Sequence, residues 1–512
     1  MSTNNYDVAV IGSGLGGLSA AATLAKSGRR VLLAERHDGP GGNARSFVRG
    51  PYRFDPALHV TGYGYNVPIF QTYLQAVGAQ DEVDIIELGD LYSVVVDGQV
   101  FHHPHGEANV TEYLAGKFPE ERKGIEEFMR LCSKVTVESQ SPAPRVAVKD
   151  LGAAVAAFPT LFKYRTHTFQ NAVEEFVSDP RAQMLLGAHW PYMGVPPSQL
   201  GFLAATASWM ALMEPQPVGV RGTFQSLATA LANVVTRQGG TVLYGSPVTR
   251  IDIEGGRASG ITLEDGRQFR APVVVSNADA TLTFQELVGR DHLTPGFLRR
   301  VQRMKPSASA FVLFSACKLP LHETGTPSEV FIYDHWDHDQ TWSDIEQGRF
   351  GGMWVSIPTL HDDSLAPPGE HLVVFTSLLP WHIDEPWSAA KPRMVEEAVS
   401  RIDEVFPGFR DSLTFTDAAT PDTLHEFTLT REGAIYGWAN TPQQSQPKRM
   451  PQETPIEGLY LAGHWTNPGT GCLRCLFSGL RTAGTIAGFE DPISFLGSLF
   501  SSPEQAEQAP VG

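Results

Sequence analysis

The chain has 512 residues, 42% of them hydrophobic and 19% charged, which is ample for a large core and two or more globular domains. Its formal net charge of −17 argues against a nucleic-acid backbone as partner and against strong attraction to anionic lipid, leaving an apolar patch as the route to any peripheral membrane contact. The four cysteines, Cys132, Cys317, Cys472 and Cys475, are too few for a disulfide scaffold of this size and fit a cytoplasmic location.

The N-terminus lacks a basic segment ahead of an apolar one, so no secretory leader is expected. No apolar run reaches the roughly 18 residues of a membrane span. The first element is a short apolar strand, Val8-Ala9-Val10-Ile11, followed by the turn Gly12-Ser13-Gly14-Leu15-Gly16-Gly17. Leu18, Ala21, Leu24 and Ala25 then recur at helical spacing, and Val31-Leu32-Leu33-Ala34 forms a second strand ending at Glu35. This is a dinucleotide-binding unit in which each part has its own task. Gly12 permits the tight turn, Gly14 lets backbone approach a pyrophosphate, and Gly17 lets helix and strand pack closely. The helix N-terminus offers N–H groups and positive potential to the phosphates. Glu35 accepts from a ribose diol, and an acid there disfavours a 2′-phosphate, so FAD or NAD is expected over NADP.

Arg36 follows, and the adjacent pair Gly41-Gly42 with Asn43 gives a second close backbone approach. Phe54-Asp55 leads into a loop carrying His59. Further on, Leu151 to Phe162 is an alanine-rich helical patch broken at Pro159, and Leu200 to Met213 carries Phe202, Trp209 and Met210. Both suit core helices and equally a surface for an elongated apolar ligand. Leu227, Leu231 and Val234 share one helical face within Phe224 to Arg237, and a turn and strand follow through Thr241 to Tyr244. Val248 to Ile253 and Ala258 to Leu263 read as a hairpin, with Val273 to Ser276 expected as its third strand.

The run Tyr333-Asp334-His335-Trp336-Asp337-His338-Asp339 contains ligand-type residues, but no further cluster at metal-binding spacing accompanies it, and a solvated loop is expected. Leu459-Tyr460-Leu461-Ala462 reads as a buried strand ended by Gly463, after which a helix starts near Cys472. Its N-terminus, at Gly471, Cys472 and Leu473, suits the electron-rich N1/C2 edge of an isoalloxazine ring. Cys472 and Cys475 form C-x-x-C. With no second pair a four-thiolate zinc site is not expected; a redox pair or a covalent flavin link stays conceivable, and two small buried residues on one helix turn is the favoured reading. Ile493 to Phe500 is short and apolar, fit to pack on the domain or to dip into a bilayer, and Ser501 to Gly512 has the composition of a disordered tail.

Taken together, G-x-G-x-x-G, the acid, Gly41-Gly42, Phe54-Asp55 with the His59 loop, Val273 to Asp279, and Gly458 to Thr466 with Pro468 to Gly471 and Ser478-Gly479 resemble the FAD-dependent phytoene desaturase, carotenoid isomerase and retinol saturase group of the amine-oxidase-like flavoproteins. The resemblance implies an α/β fold: a Rossmann-like FAD-binding domain (1–75, 219–290 and 431–490) with an interleaved α+β substrate-binding domain (76–218 and 291–430) and a C-terminal tail (491–512). It implies that Val248 meets the adenine through its backbone. Many relatives carry an acid after the strand-end glycine; His464 stands there in this chain, as a cofactor contact that bonds differently. His59, expected to titrate near working pH, and Tyr436 are the candidates for the reactive face of the flavin.

The chemistry implied is oxidoreduction or isomerisation at carbon–carbon bonds of a long apolar polyene or isoprenoid, with oxygen, a quinone or a partner protein as electron acceptor. A flavin amine or amino-acid oxidase is the second reading. A non-catalytic, Rab escort-type binding protein of the same architecture is the third.

Overall fold

The computed structural model describes residues 4–65, 67–140, 151–323, 326–445 and 448–500. The expected tail, Ser501 to Gly512, lies outside them. At the centre is a five-stranded parallel sheet ordered Thr241–Leu243, Val31–Ala34, Val8–Ile11, Val273–Ser276, Leu459–Leu461. Every residue of Val8–Ile11 and Val31–Ala34 is buried, because layers cover both faces, as a parallel sheet requires.

Alternate side chains go to the two faces. Val8, Val10, Val31 and Leu33 join a cluster with Leu18 and Leu24 of the helix Leu15–Lys26, Leu227 and Leu231 of Gln225–Arg237, and Leu476 and Leu480 of Cys472–Ile486. Ala9, Ile11, Leu32 and Ala34 meet Ile251, Ile261 and Phe269 of a small antiparallel sheet on the other side. That sheet is built from Val248–Glu254, Arg257–Leu263 and Gln268–Arg270. Its third strand is therefore not Val273–Ser276, which enters the central sheet beside Val8–Ile11. The patterns explain the difference. Val-Val-Val-Ser is apolar on both faces and suits an inner parallel strand, whereas Gln-Phe-Arg alternates and suits a half-exposed one.

A seven-stranded sheet stands apart from this assembly. Its order is Leu413–Ala419, Ser309–Cys317, His371–Leu379, Gly352–Ser356, Glu329–Tyr333, Tyr92–Val96, Gln99–His103, antiparallel except where Tyr92–Val96 runs parallel to Glu329–Tyr333. Sequence-distant strands thus close one sheet. Pro159 does break the alanine-rich patch, into Leu151–Ala157 and Pro159–Tyr164, by starting a new helix at its first turn. The helix Phe202–Met213 buries Phe202, Trp209 and Met210 in a core with Phe128 and Phe169.

The His/Asp run is a loop with exposed aspartates only from Asp334 to Asp337, and its two ends are built into elements. Tyr333 ends a strand, and Asp337 caps the helix His338–Glu346 by accepting from the backbone of Asp339. His335 pairs with Asp344 at 2.9 Å, and the buried His338 accepts from the Trp190 indole at 2.9 Å. Near the C-terminus, Phe495 and Leu496 of the helix Pro492–Ser498 pack inward while Ile493 and Phe500 stay exposed. Among the described residues no helix is long and apolar enough to cross a membrane.

Candidate active site

The first glycine turn lies against the second. Gly12 adopts φ 86°, which a residue with a side chain rarely enters. The Gly41 amide donates to the Ser13 carbonyl at 2.9 Å, and a Cβ on Gly42 would come within 2.9 Å of the Gly14 Cα. Gly14 caps the helix Leu15–Lys26 without a side-chain hydrogen bond and with no acid in the first turn. Its leading N–H groups therefore face the cleft ready for an anion. Glu35, 5% exposed, accepts from the Ser13 amide at 2.7 Å, the Ser13 hydroxyl at 2.6 Å and the His37 amide at 2.8 Å. A carboxylate has about four acceptor positions, so one remains for a ligand donor. The Ser246 amide donates to the Glu35 carbonyl at 2.8 Å, which brings the chain entering Val248 alongside. Arg36 donates through one nitrogen to the Glu426 carbonyl, and its Nη1 is buried with no partner.

The C-terminal segment closes the other side. A Cβ on Gly16 would collide with Gly463, and one on Gly479 with the Gly16 carbonyl. The Ser19 hydroxyl donates to the Leu476 carbonyl at 2.6 Å, and the Gly463 amide to the Ser478 hydroxyl at 3.0 Å. The Asn277 amide fills the space between these parts, within 2.6 Å of where a Gly14 Cβ would be. Nothing in the local pattern gave Asn277 a role, since its neighbours come from both ends of the chain. Gly471 caps Cys472–Ile486 as Gly14 caps the first helix, with no side-chain bond and no acid in the first turn. Cys472 and Cys475 are free thiols on this helix, each pushed up to about 12 by burial.

At this helix N-terminus opens a cavity of about 160 Å³. It brings together the loop Ala57–Gly62, one flank of the helix Phe202–Met213 (Ala207, Ser208, Ala211, Leu212), the aromatics Tyr192, Trp209, Trp354 and Tyr436, and Thr470 to Arg474. Both candidate reactive residues, His59 and Tyr436, line it. His59 does not titrate near neutrality as its sequence position suggested. Burial holds it at about 4, and its Nε2 donates to the Asp55 carbonyl at 3.2 Å. At neutral pH it is an uncharged wall of the cavity and orients the loop. Asp55, part of the Phe54-Asp55 motif, was given no role of its own from the sequence. It accepts from the Ser46 hydroxyl at 2.6 Å and the Phe224 amide at 3.0 Å, and burial raises its carboxyl to about 7. The His464 imidazole is held down at about 3 by burial and by the Arg449 charge beside it, while its carbonyl accepts from Arg449.

Behind the cavity, the Tyr192 hydroxyl donates to Glu329 at 2.9 Å and the Ser356 hydroxyl to the same oxygen at 2.7 Å. Glu329 is 5% exposed, and burial raises its carboxyl from 4.5 to about 7. The folded state therefore keeps this proton where the unfolded chain has released it. The associated stability is complete below about pH 4.5 and is lost as pH rises through about 7, about 3 kcal/mol in all at 1.36 kcal/mol per unit. Glu329→Gln, which cannot ionise, should flatten this part of the stability profile in denaturant melts between those limits. An unchanged slope would mean that another group supplies it.

The model of one family, flavin containing amine oxidoreductase, matches residues 15–487. The chain belongs to that family. It is an FAD-dependent oxidoreductase, and the site fits the cofactor by its own features: two glycine turns in contact where any side chain would fill the cleft, two uncapped helix N-termini, and a carboxylate with acceptor capacity in reserve. The chain is 30% identical to the prolycopene isomerase of Daucus carota over 95% of this chain and 80% of that one. It is 27% identical to the neurosporene-forming phytoene desaturase of Rhodobacter capsulatus over 94% of both. An oxidoreductase structure from Methanosarcina mazei superposes with TM-score 0.64 at 19% identity, over 92% of this chain and 98% of that one, and shares the fold.

Proposed function

We propose that this oxidoreductase acts on carbon–carbon bonds of a long apolar polyene or isoprenoid, as a desaturase, saturase or isomerase. The observation that carries the reading is the cavity at the N-terminus of Cys472–Ile486, walled by Leu58, Val60, Trp209, Leu212 and Trp354. Such walls give an alkene chain dispersion contacts and keep water out. Prolycopene and phytoene, named by two relatives, are long apolar polyenes. In the same reading, residues 1–75, 219–290 and 431–490 form the cofactor domain, and 76–218 with 291–430 the substrate domain.

FAD supplies the acceptor or donor of a hydride equivalent. The chain's residues bind and orient. Gly12, Ser13, Gly14 and Gly17 cradle the pyrophosphate, Glu35 and Arg36 hold the adenosine ribose region, and Val248 meets the adenine. Gly41, Gly42 and Asn43 back the dinucleotide; Gly463 and His464 meet the ribityl chain; Gly471, Cys472 and Leu473 face the flavin N1/C2 edge. Neutral His59 and Tyr436, both in the cavity wall, would position the substrate against the ring. We assign the protein to the cytoplasm, with the exposed Ile493 and Phe500 as its contact with a lipid reservoir of substrate. Oxygen, a quinone or a partner protein takes the electrons.

The cavity's aromatic lining also suits an amine, but Arg474 among its walls repels a cationic one. Anaerobic mixing of the yellow protein with a polyene should bleach the flavin or change the polyene's isomer composition. Bleaching by an amine alone would transfer the protein to the amine oxidases.

A further inference from the structure

Two arginines at this cavity, the buried Arg449 and the half-buried Arg474, have no carboxylate partner among the described residues. Arg449 is 1% exposed and donates only to neutral oxygens: Nε to the His464 carbonyl at 3.1 Å, Nη1 to the Asn440 side chain at 3.1 Å and Nη2 to the Tyr436 carbonyl at 3.2 Å. Arg474 sits on the first turn of Cys472–Ile486 and lines the cavity. Its Nη1 donates to the Ala204 carbonyl at 3.1 Å and the Ser208 hydroxyl at 2.7 Å, and its other nitrogens have no hydrogen bond among the described residues. The Cys475 thiol beside both stays protonated, since burial raises it to about 12, so it is no counter-ion.

Three unfavourable effects coincide here. Burial pushes Arg449 down to about 9 and Arg474 to about 10. The two like charges repel, which adds to the fall at Arg449. Arg474 also lies at the positive end of a helix dipole, where a cation is disfavoured. A negative charge at the cavity end of the helix relieves all three.

We propose that Arg474, backed by Arg449, holds the negative charge of the reduced flavin at its N1/C2 edge. This rests on the flavin placement under the proposed function. Oxidised flavin that gains two electrons and one proton carries one negative charge, delocalised over N1 and the C2 oxygen. Arg474's free nitrogens and the N–H groups following Gly471 form one electropositive wall for it. The field raises the reduction potential and favours any nucleophile whose addition at N5 leaves charge on the same edge.

Sulfite is such a probe. The holoenzyme, titrated with sulfite and separately with dithionite against a redox dye, gives a dissociation constant from bleaching and a two-electron midpoint potential. In Arg474→Leu the sulfite dissociation constant should rise about tenfold or more. The potential should fall by about 30 mV for each tenfold loss in the reduction equilibrium, with Arg474→Lys recovering most of both. Ser208→Asp offers Arg474 a carboxylate without removing it and should shift both readings the same way, which covers the case in which the leucine variant does not fold. Unchanged sulfite affinity and potential in flavin-loaded Arg474→Leu overturns the proposal. So does an unchanged potential with selective loss of binding for a carboxylated polyene over its hydrocarbon parent, since the anion would then be the substrate's. Wild-type protein that carries flavin and responds as expected but ignores polyenes overturns only the substrate reading.

Discussion

Gly14→Leu is expected to yield a folded but colourless protein. Gly14 has φ −62° and ψ 163°, an extended conformation open to any residue. A Cβ there meets one neighbour, the Asn277 side-chain amide at 2.6 Å, and a side chain can swing aside. The rest of a leucine must then occupy the cleft between the two glycine turns, where the pyrophosphate lies in the proposed reading. Charge-assisted hydrogen bonds contribute about 1.5–3 kcal/mol each. Losing two of them to steric exclusion weakens FAD binding by roughly a hundredfold or more. The check is flavin absorbance per protein together with a cooperative thermal melt close to that of flavin-free wild type. Full flavin occupancy in this variant would put the pyrophosphate elsewhere. Gly17→Leu is a poor substitute, because its Cβ collides with the Gly12 carbonyl and confounds folding with binding.

Glu35→Ala should cost both stability and cofactor affinity. The carboxylate ties the first turn to the end of the second strand through the Ser13 and His37 bonds, and its removal strands buried donors at about 1–3 kcal/mol each. The ribose loses its acceptor as well. We expect apo-protein to melt several degrees lower and to bind FAD roughly a hundredfold more weakly by calorimetry. Glu35→Gln, which keeps acceptor capacity but not charge, should fall between. Wild-type affinity in the alanine variant would remove Glu35 from the ribose site.

The cofactor half of the site was legible in the sequence because its parts are local. Strand, glycine turn, helix and acid follow one another from Val8 to Glu35, and each announces itself by spacing. The helix at Cys472 was legible for the same reason. The role of Asn277 was not, because its neighbours are Gly14 and Gly463, which only the folded chain brings together. Arg474 drew no reading from the sequence, because its place in the cavity wall depends on the helix Phe202–Met213, whose Ala204 carbonyl it meets. The neutrality of His59 likewise depends on surroundings that no local pattern encodes. Val273–Ser276 was misassigned to the hairpin because strand periodicity does not tell which sheet a strand joins. The loop expected of the His/Asp run holds from Asp334 to Asp337 but missed the helix starting at His338, because Asp337 is as natural a helix cap as a loop residue.

The hydrogen bond from Ser19 to Leu476 spans 457 positions. A ribosome must therefore deliver nearly the whole polypeptide before the last wall of the binding cleft exists. A chain truncated before Cys472 would lack that wall, and the helix Leu15–Lys26 would show to water the side that Leu476, Leu480 and Ala483 help to bury.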